Sequence, residues 1–205
     1  MEGDTKLDTG KLVRAFFMYE KKLGALRNVY GRESPTYKNF CLSKVDDLIT
    51  RSLTFLERNS TDYARQIFLK ILSLIKSQCS EQFTIKKLQI HNYLCQVYCR
   101  QENYQEALNT LMVAGDLGTA SKQNLGETYL NMSKVHGFMG DYKSGLRMVK
   151  ESILELTQPA LVDCHEQSKE RLLEGWYYNA GYELELGNFQ TALKVLDRGV
   201  SMCET

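Results

Sequence analysis

The stretch His91 to Arg100, HNYLCQVYCR, sets a histidine and two cysteines at intervals of four. On a helix turning by about 100° per residue, His91, Cys95 and Cys99 spread over only about 80° of circumference, so one metal ion could reach two or three of them. His136, further along the chain, offers a fourth ligand for a closed tetrahedral site. Packing competes with this chemistry. Free cysteine is a common small core residue, and structural zinc sites favour cysteines two to four apart in turns rather than one helical turn apart in mid-helix. Packing is the stronger reading, and neither a metal nor any other cofactor is expected.

Other chemically able residues are as sparse. Cys164 and His165 are adjacent, and on a helix such neighbours diverge by about 100°, a poor arrangement for a thiolate and its base. Asp46 with Asp47, and Glu183 with Glu185, read as solvated helix faces rather than acid–base pairs. The chain contains only His91, His136 and His165 as histidines, and it carries no glycine-rich phosphate loop, nucleophile elbow or HExxH motif. It is not expected to be an enzyme.

The elements that must position these residues are helices. Apolar residues recur at three- and four-residue spacing almost throughout, strand-type alternation is never sustained, and the only prolines are Pro35 and Pro159. The spacing predicts helices at about 11–30, 37–58, 62–78, 83–101, 104–115, 122–139, 142–157, 160–186 and 189–203. Most are joined by short turns, which makes consecutive helices antiparallel neighbours. Gly31 to Thr36, GRESPT, has the content of a longer loop, so residues 1–36 are read as an N-terminal helical extension ahead of a domain over 37–205.

Charge and composition narrow the class. With 26 basic against 25 acidic residues the net charge is +1, which creates no field to hold a polyphosphate chain or an anionic membrane. Nucleic acid is disfavoured as a partner. The longest apolar run, Ile67 to Ile75, is broken by Lys70 and Ser73 and is far shorter than the roughly 20 residues of a membrane span. The polar start, MEGDTKLDTG, lacks the order of a secretory signal, and six cysteines without regular spacing suit a reducing compartment, cytoplasmic or nuclear.

Three segments align without gaps, from Tyr93 to Ala114, Asn131 to Ser152, and Tyr178 to Gly199. Each carries a small residue in its first helix (Cys95, Ser133, Ala180), an aromatic after the turn (Tyr104, Tyr142, Phe189), and a small residue three later (Ala107, Gly145, Ala192). Leucine follows at Leu108, Leu146 and Leu193, and another small residue closes each segment. Two of the turns hold glycine, Gly140 and Gly187. Helices approach closely only where a side chain is small, and a bulky residue on one then fills the groove beside it.

This pattern resembles the tetratricopeptide repeat, a helix–turn–helix unit of about 34 residues. Trp176 stands at the family's large aromatic position, with Tyr129 and His91 at the same place in the other repeats; Cys95 falls where the family is small. Asn179 and Glu183 depart from it, at positions the family makes leucine and tyrosine, with Tyr182 adjacent as a substitute. The spacings of 38 residues from Ala107 to Gly145 and 47 from Gly145 to Ala192 imply helices longer than the family's. An upstream unit leads into IFLKILSLI, with Gln66 where a small residue is wanted.

The resemblance implies an all-α fold, an α-solenoid of about four antiparallel hairpins, whole or cut from a longer array. Leu193, Leu196 and Val200 of its last helix would then face solvent, a further repeat, a partner or a second copy. It also implies a scaffold or adaptor that holds a peptide or helix of a protein partner in the concave groove lined by the first helix of each repeat. Carried over residue by residue, the groove residues are Asn92, Gln96, Cys99 and Arg100, then Glu127, Asn131, Lys134 and Phe138, then Glu174, Tyr177, Tyr178 and Glu185. Arg51 and Phe55 join them from the upstream unit. A carboxylate clamp of the chaperone-binding kind is not expected, because only Asn131 matches its pattern and Glu174 replaces a lysine. The alternative is self-association into a homo-oligomer through the last helix or through the apolar residues Leu12, Val13, Phe16, Phe17, Leu23 and Leu26 of the extension. RNA binding by a helical repeat would need basic groove residues, which the charge balance does not promise.

Overall fold

The structure, a computed structural model, describes residues 2–121, 125–158 and 166–203. Among the described residues every regular element is a helix: α1 Glu2–Tyr30, α2 Pro35–Glu57, α3 Thr61–Ile75, α4 Glu81–Arg100, α5 Tyr104–Ser121, α6 Gly126–Phe138, α7 Tyr142–Leu156, α8 Glu166–Glu185 and α9 Phe189–Cys203. None is long and apolar enough to cross a membrane. The α5 helix passes the expected stop at 115 because its buried stripe, Leu111, Ala114 and Gly118, keeps helical period. Likewise α1 starts at Glu2 rather than near 11, with no proline in its first turns to stop it. The expected start of a helix at 160, Pro159, Cys164 and His165 lie outside the described residues, as do 122–124.

Four turns repeat one geometry. Asn59, Glu102, Gly140 and Gly187 have φ of 59°, 55°, 77° and 80°. Each is followed by an N–H that donates to the carbonyl five residues back: Ser60 to Phe55 at 2.8 Å, Asn103 to Tyr98 at 2.9 Å, Asp141 to His136 at 2.9 Å and Asn188 to Glu183 at 2.8 Å. This is the Schellman helix stop, which requires one left-handed residue. The carbonyl of the following residue then accepts the N–H of Ala64, Ala107, Gly145 or Ala192, which starts the next helix.

Counting back seven from each left-handed residue gives Ser52, Cys95, Ser133 and Ala180, all at most 2% exposed. The α2–α3 hairpin therefore carries a small residue in the repeat's place, Ala64, which is fully buried. The sequence reading put Gln66 there; it lies two positions out of register and is exposed.

The chain divides into two compact units, Met1–Phe83 and Thr84–Thr205. In the first, α1 lies against α2 and α2 against α3. Cys41, Val45, Leu48, Phe68, Ile71 and Ile75 form its core, to which α1 adds Phe16 and Leu23. Of the other residues offered for self-association, Phe17 is exposed and Leu26 half-buried, while the side chains of Leu12 and Val13 lie outside the described ones. Tyr19 Oη donates to Asp47 Oδ2 at 2.7 Å, and Asp47 Oδ1 pairs with Arg51 at 3.2 Å. Burial pushes the Asp47 carboxyl up, but these two hydrogen bonds outweigh it and hold it below the ordinary aspartate value.

In the second unit each hairpin packs on the next. Cys95 of α4, Ala107 and Leu111 of α5 and Val135 of α6 share one cluster. Leu130, Val149, Ile153, Leu156, Leu172 and Tyr182 form another across α6, α7 and α8. The two departures from the repeat pattern, Asn179 and Glu183, are both buried. Glu183 is thus no solvated face: its carboxylate accepts from Lys150 Nζ at 3.1 Å and Asn188 Nδ2 at 2.8 Å, which offsets its desolvation.

Candidate functional site

The C-terminal halves of α6 and α8, with the first residue of α7, enclose an open cleft of about 250 Å³. Its walls are aromatic because α8 places Tyr177, Tyr178 and Tyr182 on one face, with Phe138 and Tyr142 opposite. Their rings interlock: Tyr177 meets Tyr178 edge-on at 5.6 Å, Tyr178 meets Tyr182 at 6.0 Å, and Tyr182 meets Tyr142 at 6.1 Å. Tyr182 is the pivot. It is buried, donates from Oη to the Ser133 carbonyl at 2.8 Å, and lies over Gly137, where an added Cβ would come within 2.6 Å of that oxygen.

Glycine opens the other side. Gly181 lies one turn after Tyr177 and one turn before Glu185, and a Cβ there would meet nothing within 4 Å. The missing side chain leaves a notch between a tyrosine ring and a carboxylate. Tyr177 is 69% exposed and Phe138 57%, so the walls stand open to an incoming group.

Charge is arranged along one rim. Lys134 Nζ lies 2.6 Å from Glu174 Oε1 and 5.5 Å from the centre of the Tyr178 ring. Arg171 reaches Glu127 at 3.4 Å and Glu174 at 3.5 Å, so four charged side chains join α6 to α8. Burial first, then the Glu174 and Tyr177 charges, push the Tyr178 phenol up, so it stays a neutral donor.

Of the sequence-derived groove residues, Lys134, Phe138, Tyr177, Tyr178 and Glu185 line this cleft, Glu174 pairs with Lys134 beside it, and Glu127 pairs with Arg171 in the N-terminal halves of α6 and α8. Asn92 and Asn131 are buried, and pair with each other: Asn131 Nδ2 donates to Asn92 Oδ1 at 3.2 Å, and Asn92 Nδ2 to Thr128 Oγ1 at 3.4 Å. Their amides join α4 to α6. Gln96 is half-buried and Arg100 exposed, both on α4 and away from the cleft lining. In the first unit Arg51 is exposed beside Asp47, whereas Phe55 is buried beside Tyr63. Sequence reasoning took Tyr142 and Tyr182 only as packing residues and passed over Gly137, Arg171 and Gly181. The spacing Tyr177, Gly181, Glu185 carried the missed signal, since a glycine at i+4 between two large side chains marks a notch.

The residues of the metal reading lie on α4 and α6. Cys95 and Cys99 have their sulfurs 3.9 Å apart, His91 Nδ1 is buried without a partner, and His136 Nδ1 lies 3.4 Å from Asp141. Among the described residues no three His, Cys, Asp or Glu side chains gather to hold a metal.

This arrangement is a tetratricopeptide-like helical-repeat fold, all-α and built of antiparallel hairpins, with an aromatic cleft on the helices α6 and α8. Solved structures agree on the fold. BtubC (BKLC) from P. vanneervenii matches with a TM-score of 0.65 at 15% identity, over 98% of this chain and 76% of that one. A MamA protein matches with 0.58 at 16% identity, over 98% and 88%. A Podosopora anserina putative kinesin light chain with nearly identical TPR-like repeats matches with 0.50 at 10% identity, over 78% and 95%. No family model matches the sequence. No curated protein matches it either.

Proposed function

We propose that this chain is a protein-interaction scaffold or adaptor that holds a peptide or helix of a protein partner in the cleft between α6 and α8. The observation that carries this reading is the cleft itself, in which exposed Phe138 and Tyr177 stand over a half-buried tyrosine cluster and beside a fixed ion-pair rim. Rigid aromatic side chains ringed by paired charges are the composition of interface anchor sites. Cysteine usage supports a reducing compartment, cytoplasmic or nuclear.

The test is selection from a displayed random-peptide library on the full chain, followed by affinity measurements on variants. Tyr177→Ala and Phe138→Ala are expected to weaken the selected peptides at least about tenfold, the loss of one anchor, with helicity by circular dichroism unchanged. Equal affinity in both variants, or no peptide enriched over the bare support, contradicts the reading.

One observation favours a second reading, self-association. Phe189, Leu193, Leu196 and Val200 form an exposed stripe on α9, at 69%, 65%, 41% and 59% exposure. In the two preceding repeats the equivalent aromatics, Tyr104 and Tyr142, meet Phe138 and Tyr182 of the following helix at 5.8 Å and 6.1 Å. Phe189 has no such ring against it among the described residues. A second copy laid on this stripe would make the assembly symmetric.

A further inference from the structure

Resting on the adaptor reading, we infer that the cleft holds an arginine side chain of the partner, its guanidinium in the notch over Gly181 between the Tyr177 ring and the Glu185 carboxylate. The argument is one of charge and shape. Around the cleft Lys134 is neutralised by Glu174 at 2.6 Å, Arg171 is shared by Glu127 and Glu174, and Glu183 is matched by Lys150 and Asn188. Glu185 is exposed, lines the cleft, and has no ion-pair partner among the described residues.

Two helix C-termini add to its charge, since α6 ends at Phe138 and α8 at Glu185, both in the cleft wall. The N-terminus of α7 opposes them, but the Asp141 carboxylate accepts from Ser144 N at 3.1 Å and caps it. The cleft is left with an excess of negative potential and with tyrosine faces, which attract cations through their quadrupoles. A planar guanidinium stacks on a ring and bonds a carboxylate through its fork, which an ammonium does not. A residue larger than glycine at 181 would occupy that place.

The probes are three capped tripeptides, acetyl-Gly-Arg-Gly-amide, its citrulline counterpart, which is neutral and nearly isosteric, and its leucine counterpart. They are titrated into the full, isotopically labelled chain and followed by amide shifts in two-dimensional NMR. The arginine peptide is expected to shift the amides of Tyr177, Gly181 and Glu185, saturably, with citrulline and leucine at least about fivefold weaker, the difference one charge-assisted bond makes. Glu185→Gln is expected to bring arginine down to the citrulline level. Gly181→Leu is expected to abolish the shifts while its circular dichroism and melting stay those of a folded chain. Equal binding of arginine and citrulline, tighter binding of leucine, or no saturable shift with arginine overturns the assignment. Library-selected peptides that depend on Tyr177 but carry an apolar anchor overturn it too, while leaving the adaptor reading in place.

Discussion

His91 shows how far a residue's type can mislead. Read alone, its spacing from Cys95 and Cys99 suggested metal chemistry, yet it is a half-buried residue whose Nδ1 is buried and has no partner. Burial, with some help from the Lys87 charge, pushes its imidazole down to about 4, against about 6.5 in an unfolded chain. The unfolded chain therefore binds a proton that the folded chain refuses. Its contribution is full above about pH 6.5 and is lost as pH falls towards 4, on the order of 3 kcal/mol in all. Urea melts between pH 7 and 4.5 should show this slope in the native chain and a flatter one in His91→Gln; equal slopes would contradict it. The cysteines divide in the same way. The Cys95 thiol is pushed up by its hydrogen bond with Cys99 and by burial, whereas that bond pulls Cys99 down. Burial alone pushes Cys41 up to about 11. Mass-mapped alkylation of the native protein should label exposed Cys79 and half-buried Cys99 well before Cys95 and Cys41, and early labelling of Cys95 would count against the bond. The small positions, Cys95, Ser133 and Ala180, were legible because size alone decides them. Asn92 and Asn131 were not, since an amide facing a groove and one paired with a helix 39 residues away look alike in sequence.

At the scale of elements, the helices and their order were legible from apolar period, and the turns only in part. Glycine marked two of them, Gly140 and Gly187; Asn59 and Glu102 adopt the same left-handed φ, which the hydrogen-bonded frame imposes. Non-glycine residues there carry a cost, so Glu102→Gly should raise stability by about 0.5–1 kcal/mol in denaturant melts; a drop would mean the Glu102 side chain matters to the turn. The helical glycines of the cleft give a matched pair. Gly181→Ala adds a Cβ in open space and should stabilise by about 0.5–1 kcal/mol. Gly137→Ala drives a Cβ into the buried Tyr182 ring and should cost about 1–3 kcal/mol. The same chemical change thus has opposite signs forty-odd residues apart, and two equal results would show that the Tyr182 packing is looser than described.

For the whole molecule, the all-α hairpin class could be read from three aligned segments, because a repeat fixes the fold before any single contact is known. The division between Phe83 and Thr84 could not, since it falls in the first turn of α4 with no proline or glycine to mark it. The cleft was half legible for a related reason: its lining comes from two helices about 40 residues apart in the chain, and register places side chains on a face without saying which neighbour closes over them. If the α9 stripe mediates self-association, Leu193→Glu should shift the full chain to monomer in sedimentation at concentrations where the native protein assembles; an unchanged distribution removes that reading. The central claim, that a partner lies in the cleft, is tested most directly by hydrogen exchange on the full chain with and without a library-selected peptide. Protection is expected over 134–138 and 174–185, the C-terminal halves of α6 and α8. Protection confined to α9, or none at saturating peptide, would contradict it.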